Sequence, residues 1–225
     1  MTFTNKGMGR LAGCTYLIVV LTGIFSLIYV PSQLISLSDP EATLANIAAS
    51  ETLFRLGVAA GFVCYVAFLV LPFLLYVVLA PYGRVSAALM AGLAAVSVPL
   101  SFLAVSEQLA VAQLIGDDGA AADAGVMMAH FEAYNLKLSV ATIFWGLWLL
   151  PFGYLVMKSG AIPRILGVFL ALGCFGYLTG FFGPLFFPAY GDTIIADIAG
   201  IPASVGEIGA CLWLLIMGAR NHTDA

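Results

Sequence analysis

The sequence predicts an all-α fold, a polytopic membrane helix bundle of six transmembrane helices with N and C termini cytoplasmic. Three observations carry that expectation. Of the 225 residues, 62% are apolar and 9% charged, against roughly 25% charged in soluble domains, so the chain lacks the polar surface that water requires. Its apolar runs are mostly as long as the about 20 residues a helix needs to cross ~30 Å of hydrocarbon. They show none of the strand-like alternation of a membrane β-barrel. Six spans and short connections leave no room for a soluble domain of ordinary size, so a single transmembrane domain over 1–225 is expected.

The first span covers about 11–30, behind Lys6 and Arg10. Its apolar run is too long for a signal-peptide core and no A-x-A site follows, so it reads as an uncleaved span that Pro31 ends. Ser38-Asp39-Pro40-Glu41 then reads as a helix start, with Asp39 as N-cap and Pro40 at the first helical position of a short interfacial helix to about Ala49. Span two covers about 53–80 and turns at Pro81 and Gly83. Span three covers about 85–109, and Asp117-Asp118-Gly119 opens a polar, alanine-rich loop. Span four, about 136–157, is joined to span five, about 165–182, by Lys158-Ser159-Gly160 and Pro163-Arg164. Pro184 and Pro188 break span five, and Pro202 opens span six, about 202–218.

Orientation follows from positive charge, which cytoplasmic loops retain. The N-terminus, the span 2–3 and 4–5 turns and the C-terminus hold Lys6, Arg10, Arg84, Lys158, Arg164 and Arg220, whereas the opposite side holds only Arg55 and Lys137. The acidic loop residues, among them Asp39, Asp117, Asp118 and Asp192, then face outward. The aromatic cluster Phe175, Tyr177, Phe181, Phe182, Phe186, Phe187 and Tyr190 suits a belt at the outer interface.

The same inventory narrows function. No polybasic run points to nucleic acid or to an electrostatic lipid anchor. Cys14, Cys64, Cys174 and Cys211 lack CxxC spacing and read as small buried side chains, so no metal, disulfide or cofactor is expected. His130 and the tail residue His222 cannot together ligate a haem within the spans. HExxH, a GxSx-like nucleophile with a span histidine and a phosphate-binding glycine loop are all missing, so a non-enzymatic protein is expected.

Gly9/Gly13, Gly57/Gly61 and Gly176/Gly180 repeat at four-residue spacing, which lets helices approach closely. They read as internal packing, with a homo-oligomer through Gly57/Gly61 or Gly176/Gly180 as the other use. Leu71-Pro72-Phe73 echoes Leu150-Pro151-Phe152, each proline standing two turns or more before an arginine, as a duplicated hairpin would have it.

Ionisable residues within spans are costly and point to function. Counting from Arg220 puts Glu207 roughly 20 Å up its helix, at a height similar to Arg55, and an Arg55–Glu207 ion pair is expected. Glu107 and Lys137 count to the same side, which makes Arg55, Glu107, Lys137 and Glu207 a neutral quartet, with Tyr134, Asn135 and Gln108 nearby. The layer either clasps the helices, aided at Glu207 by a helix N-terminus, or forms an outward-facing pocket for a small amphipathic ligand, lipid headgroup or proton. His130, Tyr134 and Lys137 share one helical face, and His130 reads as an interface histidine rather than a ligand.

Phe144-Trp145-Gly146-Leu147-Trp148-Leu149-Leu150-Pro151-Phe152-Gly153-Tyr154-Leu155, continuing through Lys158-Ser159-Gly160 and Ile162-Pro163-Arg164 to Gly176-Tyr177, resembles the bacterial membrane family known as domain of unknown function 4386. Arg10 to Gly13, Leu53-Phe54-Arg55-Leu56-Gly57, and Glu207 ahead of Trp213-Leu214-Leu215 resemble it as well. The resemblance implies a multi-pass protein of a bacterial cytoplasmic (inner) membrane, surrounded by membrane lipids, and brings no reaction, ligand or cofactor. A small transporter or channel is the alternative to a clasp or ligand-binding protein. An intramembrane enzyme is the third reading, and would need Glu207, Glu107 and His130 to converge on a cavity.

Overall fold

The computed structural model describes residues 5–219; Arg220 and His222 lie outside the described residues. Seven helical elements follow in order: α1 (Lys6–Leu34), α2 (Pro40–Ala49), α3 (Glu51–Tyr82), α4 (Arg84–Asp117), α5 (Ala124–Ser159), α6 (Arg164–Phe186) and α7 (Ile194–Met217). No strand occurs among the described residues. All but α2 are long and apolar enough to cross a membrane, with mean hydropathy between 1.6 and 2.7. This is the multi-pass helical membrane architecture that the composition demands.

The start of α2 is as the sequence reads. The Asp39 side chain accepts from the Ala42 backbone N–H at 3.0 Å, and Pro40 occupies the first helical position, where its missing N–H costs nothing. Thr43, fully buried, donates to the Ser36 and Asp39 carbonyls at 2.9 and 3.1 Å and so ties the linker to α2.

Two expectations about helix ends are corrected. Pro31 does not terminate α1: the helix passes through a π turn at Phe25–Tyr29 and runs on to Leu34. Pro31 has no N–H to return to the preceding turn, and the wider turn absorbs that defect, as helices in lipid must keep their backbone groups paired. Pro184 likewise stays inside α6. The alanine-rich loop is where the sequence puts it but is shorter, because span three runs on past Leu109 to Asp118 and the next helix starts at Ala124 rather than near 136. Only a short turn separates α4 from α5: Gly119 sits at φ 58°, where other residues are strained, and the Asp123 side chain caps α5 by accepting from Gly125 and Val126 N–H at 2.7 and 3.1 Å.

The chain divides into two compact units. One comprises Met1–Leu17, Ala67–Val98 and Val140–Ala225. Its core centres on Trp148, 1% exposed, which stacks on Phe152 at 5.2 Å and meets the Phe68 ring edge-on at 5.2 Å. Small residues bring its helices together: Gly13 lies against the Leu214–Leu215 backbone, Gly153 against Gly167, and Gly173 against Ala203. Arg10 donates to the Ile216 carbonyl at 3.2 Å, joining the ends of α1 and α7.

The other unit comprises Ile18–Val66 and Pro99–Ser139. Ile47, Phe54, Met127 and Phe131 are buried in it, with the Phe54 and Phe131 rings edge-to-face at 6.1 Å. Gly57 packs on Val30, and Gly61 on Val105. Gly176, in the first unit, lies under the Ala199 carbonyl, so of the four glycines considered for self-association only Gly180 has no described neighbour within 4 Å.

Helix length sets depth. At 1.5 Å per residue α4, 34 residues long, spans about 50 Å, well beyond the ~30 Å of hydrocarbon. Glu107 then lies about 35 Å along α4 from Arg84, Lys137 about 33 Å along α5 from Ser159, and Pro31 about 32 Å along α1 from Arg10. All three fall at the boundary between hydrocarbon and water. Glu207 lies only about 14 Å along α7 from Ile216, near mid-depth, whereas Arg55 lies about 40 Å along α3 from Tyr82.

Candidate functional site

The charged residues singled out from the sequence resolve into three separate arrangements. Glu107 on α4 receives Lys137 and His130 from α5: Lys137 Nζ donates to one carboxylate oxygen, and His130 Nδ1 lies 2.6 Å from the other. The spacing of His130 and Lys137, seven positions apart on one helical face, is what lets both reach a single acid. Their side chains are 33% and 39% exposed and that of Glu107 17%, so the acid is the most enclosed member of the cluster.

Arg55 pairs instead with Glu51, one turn earlier on α3, at 2.7 Å, and its guanidinium also donates to the Ala112 carbonyl at 3.1 Å. Glu207 accepts from the Tyr16 hydroxyl at 3.1 Å and the Tyr177 hydroxyl at 3.4 Å. The expected Arg55–Glu207 pair therefore gives way to partners inside each residue's own unit, and the quartet with it. α3 begins early enough to include Glu51, which puts an acid one turn before Arg55 and within its reach.

Glu207 is the mid-membrane acid that hydropathy marks as costly. Each of its oxygens takes a phenol, which supplies hydrogen bonds without a cation. Tyr16 is 1% exposed and tilts against Trp148, and Tyr177 meets Trp145 edge-on at 6.4 Å, so the rings that aim the hydroxyls are themselves packed. Neither tyrosine stands out in the sequence as a partner of Glu207. Tyr16 lies about 9 Å along α1 from Arg10, a depth comparable with Glu207, and that was the available signal.

A pocket of about 320 Å³ opens in the second unit. Leu27, Pro31, Ile35 and Leu37 from the end of α1 and its linker form one apolar wall, and Phe131 and Leu138 of α5 add to it. Gln108, Tyr134 and Asn135 supply the polar part. The π turn contributes directly, since it is the stretch of α1 that carries Leu27 toward Pro31 on the pocket wall. Gln108 is 6% and Tyr134 7% exposed, and both side chains line the pocket. Consecutive positions on α4 thus divide the work, Glu107 turning to Lys137 and His130 and Gln108 to the pocket. The polar members belong to the set expected from the sequence; the wall from α1 does not.

Among the described residues no group of three or more His, Cys, Asp or Glu is placed to hold a metal ion. The model of the family described as domain of unknown function (DUF4386) matches residues 11–218, and the chain belongs to that family. No curated protein and no solved structure matches it.

Proposed function

We propose that this DUF4386 member is a non-enzymatic protein of the bacterial inner membrane, with both termini cytoplasmic, that binds a small amphipathic ligand at the outer boundary of the bilayer. The observation that carries this reading is the pocket, which sets an apolar wall beside the polar side chains of Gln108 and Tyr134, the pairing that an amphipath's chain and headgroup need. An amide and a phenol on the pocket wall can both give and accept hydrogen bonds to a ligand's headgroup. The Glu107, His130 and Lys137 cluster serves as the clasp that holds α4 to α5 beside the pocket.

A decyl glycerol ether carrying a photoactivatable diazirine in its chain, incorporated in membranes with the protein, tests this. Adducts are expected within 27–37 and 131–138, the segments that wall the pocket. Labelling spread over all lipid-facing helices contradicts it. Orientation has its own test: single cysteines near Asp117 and Asp192 are expected to react with an impermeant maleimide added outside intact cells, and one at Ser159 is expected to be protected. The opposite pattern inverts the topology.

A second reading, a small transporter, draws support from Glu207, an acid near mid-depth, and from the break at Ala199–Gly200 between Ile194–Ile198 and Ile201–Met217. Replacement of Glu207 separates the two, as argued below.

A further inference from the structure

The ligand-binding reading leaves the headgroup open, and the pocket's inventory closes that choice. We infer that the pocket selects an uncharged amphipath, one whose headgroup is a hydroxyl, ester or amide joined to a short apolar chain, and that Gln108 and Tyr134 read that headgroup. This inference rests on the pocket being the binding site.

Among the described residues, no Asp, Glu, Lys, Arg or His lines the pocket. A carboxylate or phosphate brought into it would meet no cation, and an ammonium no anion, at a cost that a boundary site of low dielectric does not repay. Lys137 and His130, on the same helix as Tyr134 and Asn135, are both held by Glu107. What the pocket does present is neutral polar chemistry. The Gln108 amide offers two donors and an acceptor, and the Tyr134 hydroxyl one donor and an acceptor. Both side chains are more than nine-tenths buried and line the pocket. Asn135, on the exposed side of α5, adds a second amide. Such a set matches a vicinal diol, an ester carbonyl or an amide, which both give and accept hydrogen bonds without charge.

Size agrees with chemistry. About 320 Å³ is roughly ten times the ~30 Å³ that a water occupies in the liquid. That accommodates a headgroup and a short stretch of chain, while the rest of a longer chain would extend into the acyl region. A whole phospholipid, with its phosphate, fits neither the volume nor the lining. The shared chemistry is found in a monoacylglycerol of the membrane and in a soluble fatty amide or alcohol, so the source is settled by which of them competes.

Competition against the diazirine probe tests the inference, with decyl chains held constant and membrane mole fractions measured. Decyl glycerol is expected to displace the label at mole fractions at least about tenfold below those needed for decanoate, decyl phosphate or decyltrimethylammonium, a gap of ~1.4 kcal/mol. Gln108→Leu is expected to erase that preference, leaving the four competitors within about threefold of one another. Gln108→Glu, of the same shape, is expected to favour decyltrimethylammonium, which keeps the test informative should the leucine variant misfold. Equal competition by all headgroups in the wild type, or a preference for a charged one, overturns the inference while labelling of 27–37 and 131–138 still upholds the pocket. If the probe labels no pocket residue at all, the pocket reading itself fails. Decyl glycerol competing where the equivalent fatty amide does not assigns the ligand to the glycerolipid source, and the reverse to the soluble one, each within the inference.

Discussion

Gly13→Ala is expected to lower the unfolding stability of the detergent-solubilised protein by about 3 kcal/mol or more, at the upper end of what overpacking costs. A Cβ at Gly13 would stand 2.7 Å from the Leu214 carbonyl carbon and the Leu215 Cα, both backbone, so no side chain can rotate away to admit it. α1 would have to move off α7, and the contact of Gly9 with Gly218 and Ala219 one turn away would open with it. Lipid offers no hydrophobic gain for keeping apolar helices together, so close backbone packing is the chief term lost. Gly92→Ala provides the control, because nothing lies within 4 Å of its Cβ position and alanine favours the helix. Unfolding titrations in sodium dodecyl sulfate that show equal midpoints for the two variants would refute the packing argument.

Glu207→Ala is expected to cost about 2–4 kcal/mol, combining a void with the stranded hydroxyls of Tyr16 and Tyr177. The double variant Glu207→Leu/Tyr16→Phe, apolar at both ends of the stronger hydrogen bond, is expected to recover most of the loss, since removing both partners costs little where removing one costs much. Tyr177→Phe alone is expected to have a smaller effect than Tyr16→Phe, its hydrogen bond being the longer at 3.4 Å against 3.1 Å. Stability recovered together with cellular function identifies the carboxylate as structural. Stability recovered while function stays lost favours the transporter. A double variant as unstable as Glu207→Ala would show that the phenols do not hold the acid.

What was legible in the sequence is what depends on one helix at a time. Six apolar stretches, the Asp39 cap and the Pro40 start needed only local composition and spacing. Helix ends were harder. Pro31 and Pro184 read as stops because proline breaks helices in water, yet in lipid the helix is the only way to pair the backbone, so both are absorbed. The loop that opens after Asp117 was legible in its charge and its glycine, but the helices on either side reach further into it than their apolar runs suggested. The site depended on pairs of helices. Counting residues gives height, and it placed Glu107 and Lys137 at one level, where they meet. It does not give azimuth, and so it missed that His130 joins them and that Tyr16 and Tyr177 find Glu207. Gln108, Tyr134 and Asn135 were foreseen beside a pocket. The wall of Leu27 and Pro31 was not, because it depends on a π turn that no composition rule announces.

The most direct test of ligand binding is to fill the pocket without charge. Leu27→Trp/Leu138→Trp introduces an indole from α1 and another from α5 into the space that the proposed ligand's chain would occupy. Photolabelling by the decyl glycerol diazirine at 27–37 and 131–138 is expected to fall at least about tenfold in this variant, with its unfolding midpoint equal to or above that of the wild type. Undiminished labelling of those segments in the folded variant would contradict the account, because the amphipath would then be bound somewhere other than the pocket.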